Sequence, residues 1–288
     1  MSYSSRLLPV VAWIAVGILL ILGILTGGAF RMFWWEKPTL GDPMVTQVSW
    51  ANQAEKPPLT TEQVASLVTS RLPNEEPEFL EARKRMLIHH LHGRDITDSA
   101  VLRAMGRVPR QLFVSEPLRE LAYADHPLPI GHEQTISQPY IVALMTQLAQ
   151  PSPESRALDI GTGSGYHAAV LAEICKEVYS IEIIKPLAEE AEKRLQSLGY
   201  TNITVRHGDG YRGWPEKAPF HVIIVAAAPD HVPQPLVDQL APGGRLVLPV
   251  GRFYQQLLVV EKQLDGTVRR IPSVPVSFVP MTGEAERQ

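Results

Sequence analysis

A glycine-rich loop between a predicted strand and a predicted helix restricts the fold of this chain more than any other feature. The segment Leu158-Asp159-Ile160-Gly161-Thr162-Gly163-Ser164-Gly165-Tyr166 follows a predicted strand over 156–160 and precedes a predicted helix over 167–174. Glycines at alternate positions let the backbone approach a ligand where any Cβ would clash. Glu182 lies 21 residues after Gly161, at the end of the next predicted strand. A carboxylate at that place can accept hydrogen bonds from both hydroxyls of a ribose. The spacing therefore predicts a nucleoside site.

Other glycine and metal motifs fit this chain less well. The dinucleotide fingerprint G-x-G-x-x-G needs glycine where Tyr166 stands, which makes NAD the weaker interpretation. The P-loop pattern is absent, and the residue two before Ser164 is Thr162, so a G-x-S-x-G nucleophile is absent too. His132 opens an H-E-x-x-H match that fails at Ile136, which excludes a zincin site.

Asp159, just before the first glycine, has two interpretations. Its carboxylate can contact an amino group of the ligand, which would make it a cofactor-binding residue. It can equally stand behind the loop and only brace it. The sequence leaves both open.

Alternating helix and strand patterns from residue 81 onward predict an α/β fold. We expect a helix over 81–92 that stops at Gly93, and another over 98–105 with Thr97 as its cap. A turn is expected over 241–244. Asp265-Gly266 predicts a tight hairpin. The expected architecture is a Rossmann-like sheet, mostly parallel, with a C-terminal antiparallel hairpin.

Charge and cysteine content exclude some classes of function. Lys and Arg total 27 and Asp and Glu total 30, for a net charge of −3. This balance argues against a nucleic-acid partner held by a broad basic surface. A single cysteine, Cys175, excludes an intrachain disulfide and a Cys-rich metal site. The cluster of His89, His90 and His92 is more typical of a solvated helix end, and no metal is predicted.

The start of the chain predicts a membrane anchor. Residues 7–30 carry no charged side chain, and 24 helical residues extend about 36 Å, enough to cross a hydrocarbon core of about 30 Å. Trp34 and Trp35 follow, and Trp favours the membrane interface. A cleaved signal peptide is the alternative, but the apolar run is too long and has no A-x-A site.

These patterns divide the chain into three parts. We expect one transmembrane helix in an anchor over 1–35, a Pro-rich linker over 36–80 and a catalytic domain over 81–288. A short helix within 60–72 is expected inside the linker. Six prolines interrupt the region from Glu36 to Leu80: Pro38, Pro43, Pro57, Pro58, Pro73 and Pro77.

Two longer motifs carry a resemblance to a known family: Gln134-Thr135-Ile136-Ser137-Gln138-Pro139-Tyr140 and Arg107-Val108-Pro109-Arg110-Gln111-Leu112-Phe113-Val114. Shorter matches follow Glu182 and lie at 208–210, 241–251 and 278–282. Over about residues 82–284 the chain resembles the protein-L-isoaspartate O-methyltransferases, which are class I S-adenosylmethionine (SAM) enzymes. Residues 1–80 depart from the usual family pattern.

The resemblance implies SAM as cofactor and isoaspartyl-containing proteins and peptides as substrates. We expect a monomer, although no pattern in the sequence shows the oligomeric state. Ser137 would be the active-site residue, although its hydroxyl can also cap the helix that begins near Pro139. The cofactor-binding residues implied by the resemblance and the loop are Gln134, Thr135, Ile136, Asp159, Gly161, Thr162, Gly163, Gly165, Glu182, Asp209, Gly210 and Thr282. Because SAM is made in the cytosol, we expect the anchored domain to face the cytoplasm; the periplasmic or extracellular face is the alternative.

Two other functions stay open at this point. The same fold can methylate a different small molecule or protein group. A membrane-tethered module that binds SAM without turnover is the second alternative, and the complete motif around Ser137 counts against it.

Overall fold

The computed structural model describes residues 59–287. The strands in this range, numbered in chain order, are β1 (Leu128–Gly131), β2 (Gln134–Ile136), β3 (Arg156–Ile160), β4 (Glu177–Glu182), β5 (Ile203–His207), β6 (Phe220–Val225), β7 (Leu240–Val250), β8 (Gln255–Lys262) and β9 (Val268–Val276). The α-helices are α1 (Thr61–Ser66), α2 (Pro77–Arg85), α3 (Ser99–Arg107), α4 (Pro139–Ala149), α5 (Tyr166–Ala172), α6 (Lys185–Ser197) and α7 (Gln234–Asp238). A π-helix over Met86–His92 continues α2.

In the described range, seven of the strands form one sheet in the order β5-β4-β3-β6-β7-β8-β9. The pairs from β5 to β7 are parallel, and β8 and β9 are added antiparallel. This confirms the predicted Rossmann-like sheet with a C-terminal antiparallel hairpin. Leu158 packs on one face of the sheet and Ala157 on the other, each in a buried apolar cluster. Burial on both faces accounts for the apolar strands of the parallel part.

The chain order reverses at β3, which creates the crevice used by ligands in this class of fold. From β3 the chain proceeds to β4 and β5 on one side, then returns to β6 on the other. The backbone N–H of Ala226 donates to the carbonyl of Ile160 at 2.8 Å, holding the exits of β3 and β6 side by side. The glycine loop starts at this point.

Two local predictions were wrong. The turn expected over 241–244 is part of β7. The pairing of β7 with β6 shifts register between Phe220 and Val222, and residues 241–244 of β7 lie opposite this irregularity. The cap of α3 is Asp98 rather than Thr97, because the Asp98 carboxylate accepts hydrogen bonds from the N–H groups of Ala100 and Val101. A carboxylate also suits the positive end of a helix better than a hydroxyl does.

Residues 59–80, which the sequence assigned to the linker, pack into the same compact unit as the rest of the described residues. Thr60 caps α1 in a reciprocal pair with Gln63, and Val64 is fully buried in the core. The Arg71 guanidinium donates to the carbonyl of Leu198 at 3.0 Å. The folded unit therefore includes residues that precede the predicted boundary at 81.

The expectation of a membrane-anchored protein is corrected by the structure. None of the helices in residues 59–287 is long and apolar enough to cross a bilayer. The helix α6, for example, has 13 residues and rises only about 20 Å. The predicted transmembrane helix and the linker up to residue 58 lie outside the described residues. The anchored, cytoplasm-facing location is withdrawn.

A buried ion pair fixes residues 69–75 to the rest of the fold. The side chains of Arg83 and Glu75 are 0% and 1% exposed and are directly paired. Arg83 also donates to the Tyr123 hydroxyl at 2.9 Å, and Glu75 accepts from the Gln111 amide at 2.7 Å. Removing one member of such a pair leaves the other charge buried without compensation.

We therefore expect Arg83→Met to lower the free energy of unfolding by about 3–5 kcal/mol. The control is Lys84→Met, which removes an exposed pair with Glu81 and should cost less than about 1 kcal/mol. Urea unfolding measures both. A double Glu75→Leu/Arg83→Met variant should be more stable than Arg83→Met alone. Equal losses for Arg83→Met and Lys84→Met would contradict the buried pair.

Candidate active site

A cavity of about 770 Å³ opens at the carboxyl ends of the parallel strands. Its walls come from the start of α4, the glycine loop, the exits of β4, β5 and β6, and the segment after β9. The volume falls in the usual range for small-molecule sites, about 300–1,000 Å³. All predicted site residues except Asp159 and Gly165 line it: Gln134, Thr135, Ile136, Ser137, Gly161, Thr162, Gly163, Glu182, Asp209, Gly210 and Thr282.

The Glu182 carboxylate is 5% exposed and holds the loop in place. One oxygen accepts from the Gly163 N–H at 2.8 Å, and the other accepts from the Ile184 N–H at 2.9 Å. An ionised carboxylate offers about four acceptor positions. After these two bonds, the side chain keeps acceptor capacity on the cavity side.

The glycines of the loop adopt backbone conformations that other residues disfavour. Gly161, Gly163 and Gly165 have φ values of +89°, +51° and +88°, in the left-handed region. Gly165 faces away from the cavity, and a Cβ there would lie 3.2 Å from Leu195 of α6. Its role is to pack the start of α5 against α6, which differs from the predicted contact with a cofactor.

Asp159 stands behind the loop, outside the cavity wall. It is fully buried, and one carboxylate oxygen accepts from the Ser180 hydroxyl at 2.7 Å. Ser180 in turn accepts from the Thr162 hydroxyl at 2.6 Å. The other oxygen has no hydrogen-bond partner among residues 59–287. Of the two interpretations that the sequence left open, the geometry supports bracing, and it does not support direct contact with a ligand.

Asp209 joins the exit of β5 to the end of the chain. Its carboxylate accepts from the Tyr211 N–H at 2.9 Å and from the Glu284 N–H at 2.8 Å. Gly210 is required for packing, since a Cβ there would come within 2.3 Å of Ile160. Both residues line the cavity. Both were predicted to bind the cofactor, and the Asp209 carboxylate already accepts from two backbone N–H groups.

Ser137 lies in the cavity wall just before α4. The helix cap is Gln138, and no side chain caps this helix. Within the described residues, Ser137 forms a hydrogen bond through its carbonyl, which accepts from Arg110 at 2.7 Å, and none through its hydroxyl. The geometry therefore gives no support to the helix-cap role, and the hydroxyl is available to a bound molecule.

Arg110 is a residue whose role the sequence did not indicate. It is 0% exposed, donates to the carbonyls of Ser137 and Ala122, and stacks on the Tyr166 ring with 4.7 Å from Cζ to the centroid. No carboxylate lies among its hydrogen-bond partners in the described residues. Burial lowers the pKa of Arg110, although an arginine stays protonated. It connects the Ser137 segment to the first residue of α5.

His167 is a second residue that the sequence missed. It lines the cavity and is 8% exposed. The Thr146 hydroxyl donates to the Val142 carbonyl at 2.7 Å, so it must accept from Nε2 of His167 at 3.0 Å. Burial lowers the pKa of His167 to about 3. The ring is therefore neutral at physiological pH, with Nδ1 as an acceptor.

The segment 275–282 closes the cavity. Pro280 forms a parallel bridge with Ala228, and backbone bonds of 2.8 and 2.9 Å flank this bridge. The family resemblance extended over 278–282, but Thr282 was the only residue of this segment predicted to lie in the site, because irregular backbone carries no periodic pattern. Among residues 59–287, no group of three or more His, Cys, Asp or Glu could hold a metal ion.

Comparison with known proteins identifies the family. Residues 82–286 match the family model described as protein-L-isoaspartate(D-aspartate) O-methyltransferase. The chain belongs to this family. A Polaromonas relative named protein-L-isoaspartate O-methyltransferase 2 is 55% identical over 67% of this chain and 92% of its own length. A Gloeobacter violaceus protein-L-isoaspartate O-methyltransferase is 51% identical over 70% of this chain and its own full length.

Solved structures of family members have the same fold. One protein-L-isoaspartate O-methyltransferase is 29% identical, with a TM-score of 0.65, over 70% of this chain and 67% of its own. A second, from Plasmodium falciparum, was solved in complex with S-adenosyl-L-homocysteine. It is 27% identical, with a TM-score of 0.61, over 69% of this chain and 97% of its own.

Asp159 makes the stability of this family member depend on pH. Burial raises its pKa from 3.8 to about 7; the Ser180 hydrogen bond opposes this and the Glu182 charge adds to it. At pH values between these two pKa values, the folded state binds the Asp159 proton more tightly than the unfolded state does. The contribution of Asp159 to stability therefore falls as pH rises from about 4 to 7.

We expect Asp159→Asn, which cannot titrate, to lose less stability than the wild type between pH 5 and pH 8. Urea unfolding of both proteins at each pH measures this difference. Ser115→Ala, an exposed substitution outside the site, should follow the wild type. A variant and a wild type with the same pH dependence would show that Asp159 is ionised throughout.

Proposed function

We propose that the glycine loop and Glu182 hold SAM in this cavity, and that Ser137 orients the acceptor carboxylate beside it. Family membership establishes the activity: methyl transfer from SAM to the α-carboxylate of L-isoaspartyl residues in damaged proteins. One observation supports this division of roles: Ser137 and Glu182 line the same cavity. In the described residues the Ser137 hydroxyl has no hydrogen-bond partner, and Glu182 keeps unused acceptor capacity.

The cavity fits SAM on physical grounds. Buried Glu182 presents acceptors that suit ribose hydroxyls, and the left-handed loop at Gly163 lacks side chains that would fill the space beside it. Ile183, Ile160 and Met281 supply apolar surface for a flat base. We assign residues 81–288 to the methyltransferase domain, with residues 59–80 as part of its folded unit.

The reaction needs few conventional catalytic groups. When bound, SAM supplies a methyl group that its sulfonium charge already activates. The acceptor carboxylate has an ordinary pKa of about 4, so it is ionised at neutral pH and needs no general base. Neutral His167 is consistent with this, because a pKa of about 3 makes its ring too weak a base to take a proton near pH 7. What remains for the protein is alignment of the reactants and removal of water.

Ser137 and its support supply that alignment. The Ser137 hydroxyl donates to the carboxylate, and Arg110 fixes the backbone of Ser137 through its carbonyl. Buried Ile136 on one wall and Met281 on another keep water away from the reacting atoms. Arg110 also places a buried positive charge near the segment that receives an anionic substrate.

The activity is tested with paired peptides that differ only in having isoaspartate or aspartate at one position. The enzyme with labelled SAM should methylate the first and leave the second unlabelled. Equal labelling of both peptides, or labelling of neither with SAM bound, would reject the assigned acceptor.

Replacement of Glu182 tests the cofactor assignment. Glu182→Ala should weaken SAM binding by roughly 1.5–3 kcal/mol, the scale for hydrogen bonds to a charged group. Glu182→Gln should be about as harmful, because its amide N–H₂ would face the N–H of Gly163 or Ile184. Calorimetric titration measures affinity. Exposed Glu192→Gln serves as control, and wild-type affinity in Glu182→Ala would remove this residue from the site.

Replacement of Ser137 tests the acceptor side. Ser137→Ala should lower kcat for an isoaspartyl peptide by on the order of tenfold to a hundredfold, because a misaligned carboxylate reacts slowly. SAM affinity and thermal stability should change little, since the hydroxyl caps no helix. Ser197→Ala at an exposed helix end is the control. A Tm loss of several degrees with unchanged kcat would instead assign Ser137 a structural role.

A further inference from the structure

The loop between β7 and β8 exposes two large aromatic side chains. Phe253 is 93% exposed and Tyr254 is 96% exposed. We call these two residues the aromatic tip. Single exposed apolar residues are common, but adjacent aromatic side chains in nearly full contact with water are typical of a surface that binds another molecule.

The aromatic tip lies at the same edge of the sheet as the cavity. Strand β7 is parallel to β6 and ends at Val250, so the loop that follows emerges at the carboxyl edge. The next residue, Gln255, donates to the Phe278 carbonyl at 2.9 Å and accepts from the Phe278 N–H at 2.6 Å. It also pairs with Val276. Phe278 and Val276 both line the cavity, so the aromatic tip adjoins the cavity wall.

The backbone that carries the aromatic tip is held at its base. The Gly251 N–H donates to the Pro229 carbonyl at 2.9 Å, and Arg252 pairs with Asp230 at 3.3 Å. The turn is tight, because a Cβ at Gly251 would lie 2.1 Å from the carbonyl oxygen of Tyr254. A fixed backbone reduces the ordering cost when the two side chains bind a partner.

We propose that the aromatic tip binds apolar side chains of the polypeptide substrate, a few residues from the isoaspartyl residue in the cavity. This inference rests on the proposed function. The substrate is a chain that must extend out of the cavity, and an extended peptide covers roughly 3.3–3.6 Å per residue. A substrate of several residues therefore extends as far as the aromatic tip, which is one residue away from the cavity wall. A tripeptide stays within the cavity. Rigid aromatic side chains suit varied partners, as in other polypeptide-binding surfaces.

The chain provides a matched control at the other end of the same hairpin. Leu264 is 85% exposed in the turn between β8 and β9. The strand β8 has eight residues, so this turn lies about 27 Å from the aromatic tip. Leu264→Ser removes a similar exposed apolar group from a place that the substrate does not reach.

The test compares a Phe253→Ser/Tyr254→Ser double variant with Leu264→Ser and the wild type. One substrate is a nine-residue isoaspartyl peptide with leucines two to four positions from the isoaspartate, and the other is an isoaspartyl tripeptide. We expect roughly tenfold lower kcat/KM for the long peptide in the double variant, the scale for truncated interface aromatics. Tripeptide kinetics and calorimetric affinity for S-adenosylhomocysteine should change less than about twofold, and Leu264→Ser should match the wild type.

Equal losses on both peptides, or no loss on the long one, would overturn the proposal. Two outcomes would overturn the proposal by giving the aromatic tip another role. If the double variant keeps its long-peptide kinetics but sediments differently from the wild type, the aromatic tip serves self-association. If it keeps those kinetics but loses binding to lipid vesicles, the aromatic tip contacts a membrane. Failure of the proposed function gives a different result, because the wild type would then methylate neither peptide.

Discussion

The hydrogen bonds from two backbone N–H groups to the Glu182 carboxylate hold the site together. One comes from the glycine loop after β3, and the other from Ile184 at the start of α6. The Ile181 carbonyl, one residue earlier, accepts from the N–H groups of Gly161 and Thr162. The β4 end therefore fixes the loop that follows β3, and the parallel register of these strands sets where the loop lies. The cavity shape depends on this arrangement.

Arg110 makes the second connection, between the segment assigned to the acceptor and the segment assigned to the cofactor. It binds the Ser137 carbonyl and stacks on Tyr166, the first residue of α5. No carboxylate in the described residues hydrogen-bonds to its desolvated charge, in contrast to Arg83, which is paired with Glu75. The charge of Asp125 acts on Arg110 without a hydrogen bond. Under the proposed function, an anionic acceptor bound near Ser137 adds a second negative charge that offsets the cost of burying this cation.

Local pattern predicted the parts of the site that depend on local geometry. The loop and Glu182 follow from the spacing of two consecutive strand ends, and both lie where expected. Ser137 followed from the family motif, whereas its support by Arg110 depends on a contact between residues 27 apart in the chain. Asp159 could not be assigned from sequence, since bracing and binding differ only in which way a buried carboxylate faces. The short helix around Val64 was expected but was assigned to the linker, because its sequence does not indicate what it packs against. Only the tertiary packing shows Val64 buried.

The antiparallel end of the sheet explains how a parallel fold acquires a closed site. Strands β8 and β9 form a hairpin beside β7, so the chain leaves β9 at the carboxyl edge and crosses the open ends of the parallel strands. Three contacts hold this crossing segment: Gln255 with Phe278, Ala228 with Pro280, and Asp209 with Glu284. These contacts join it to the start of β8 and to the segments after β6 and β5, so it forms a fixed wall. The aromatic tip directly precedes this hairpin. The strand pair that closes the cavity therefore also places the exposed aromatic side chains beside the opening of the cavity.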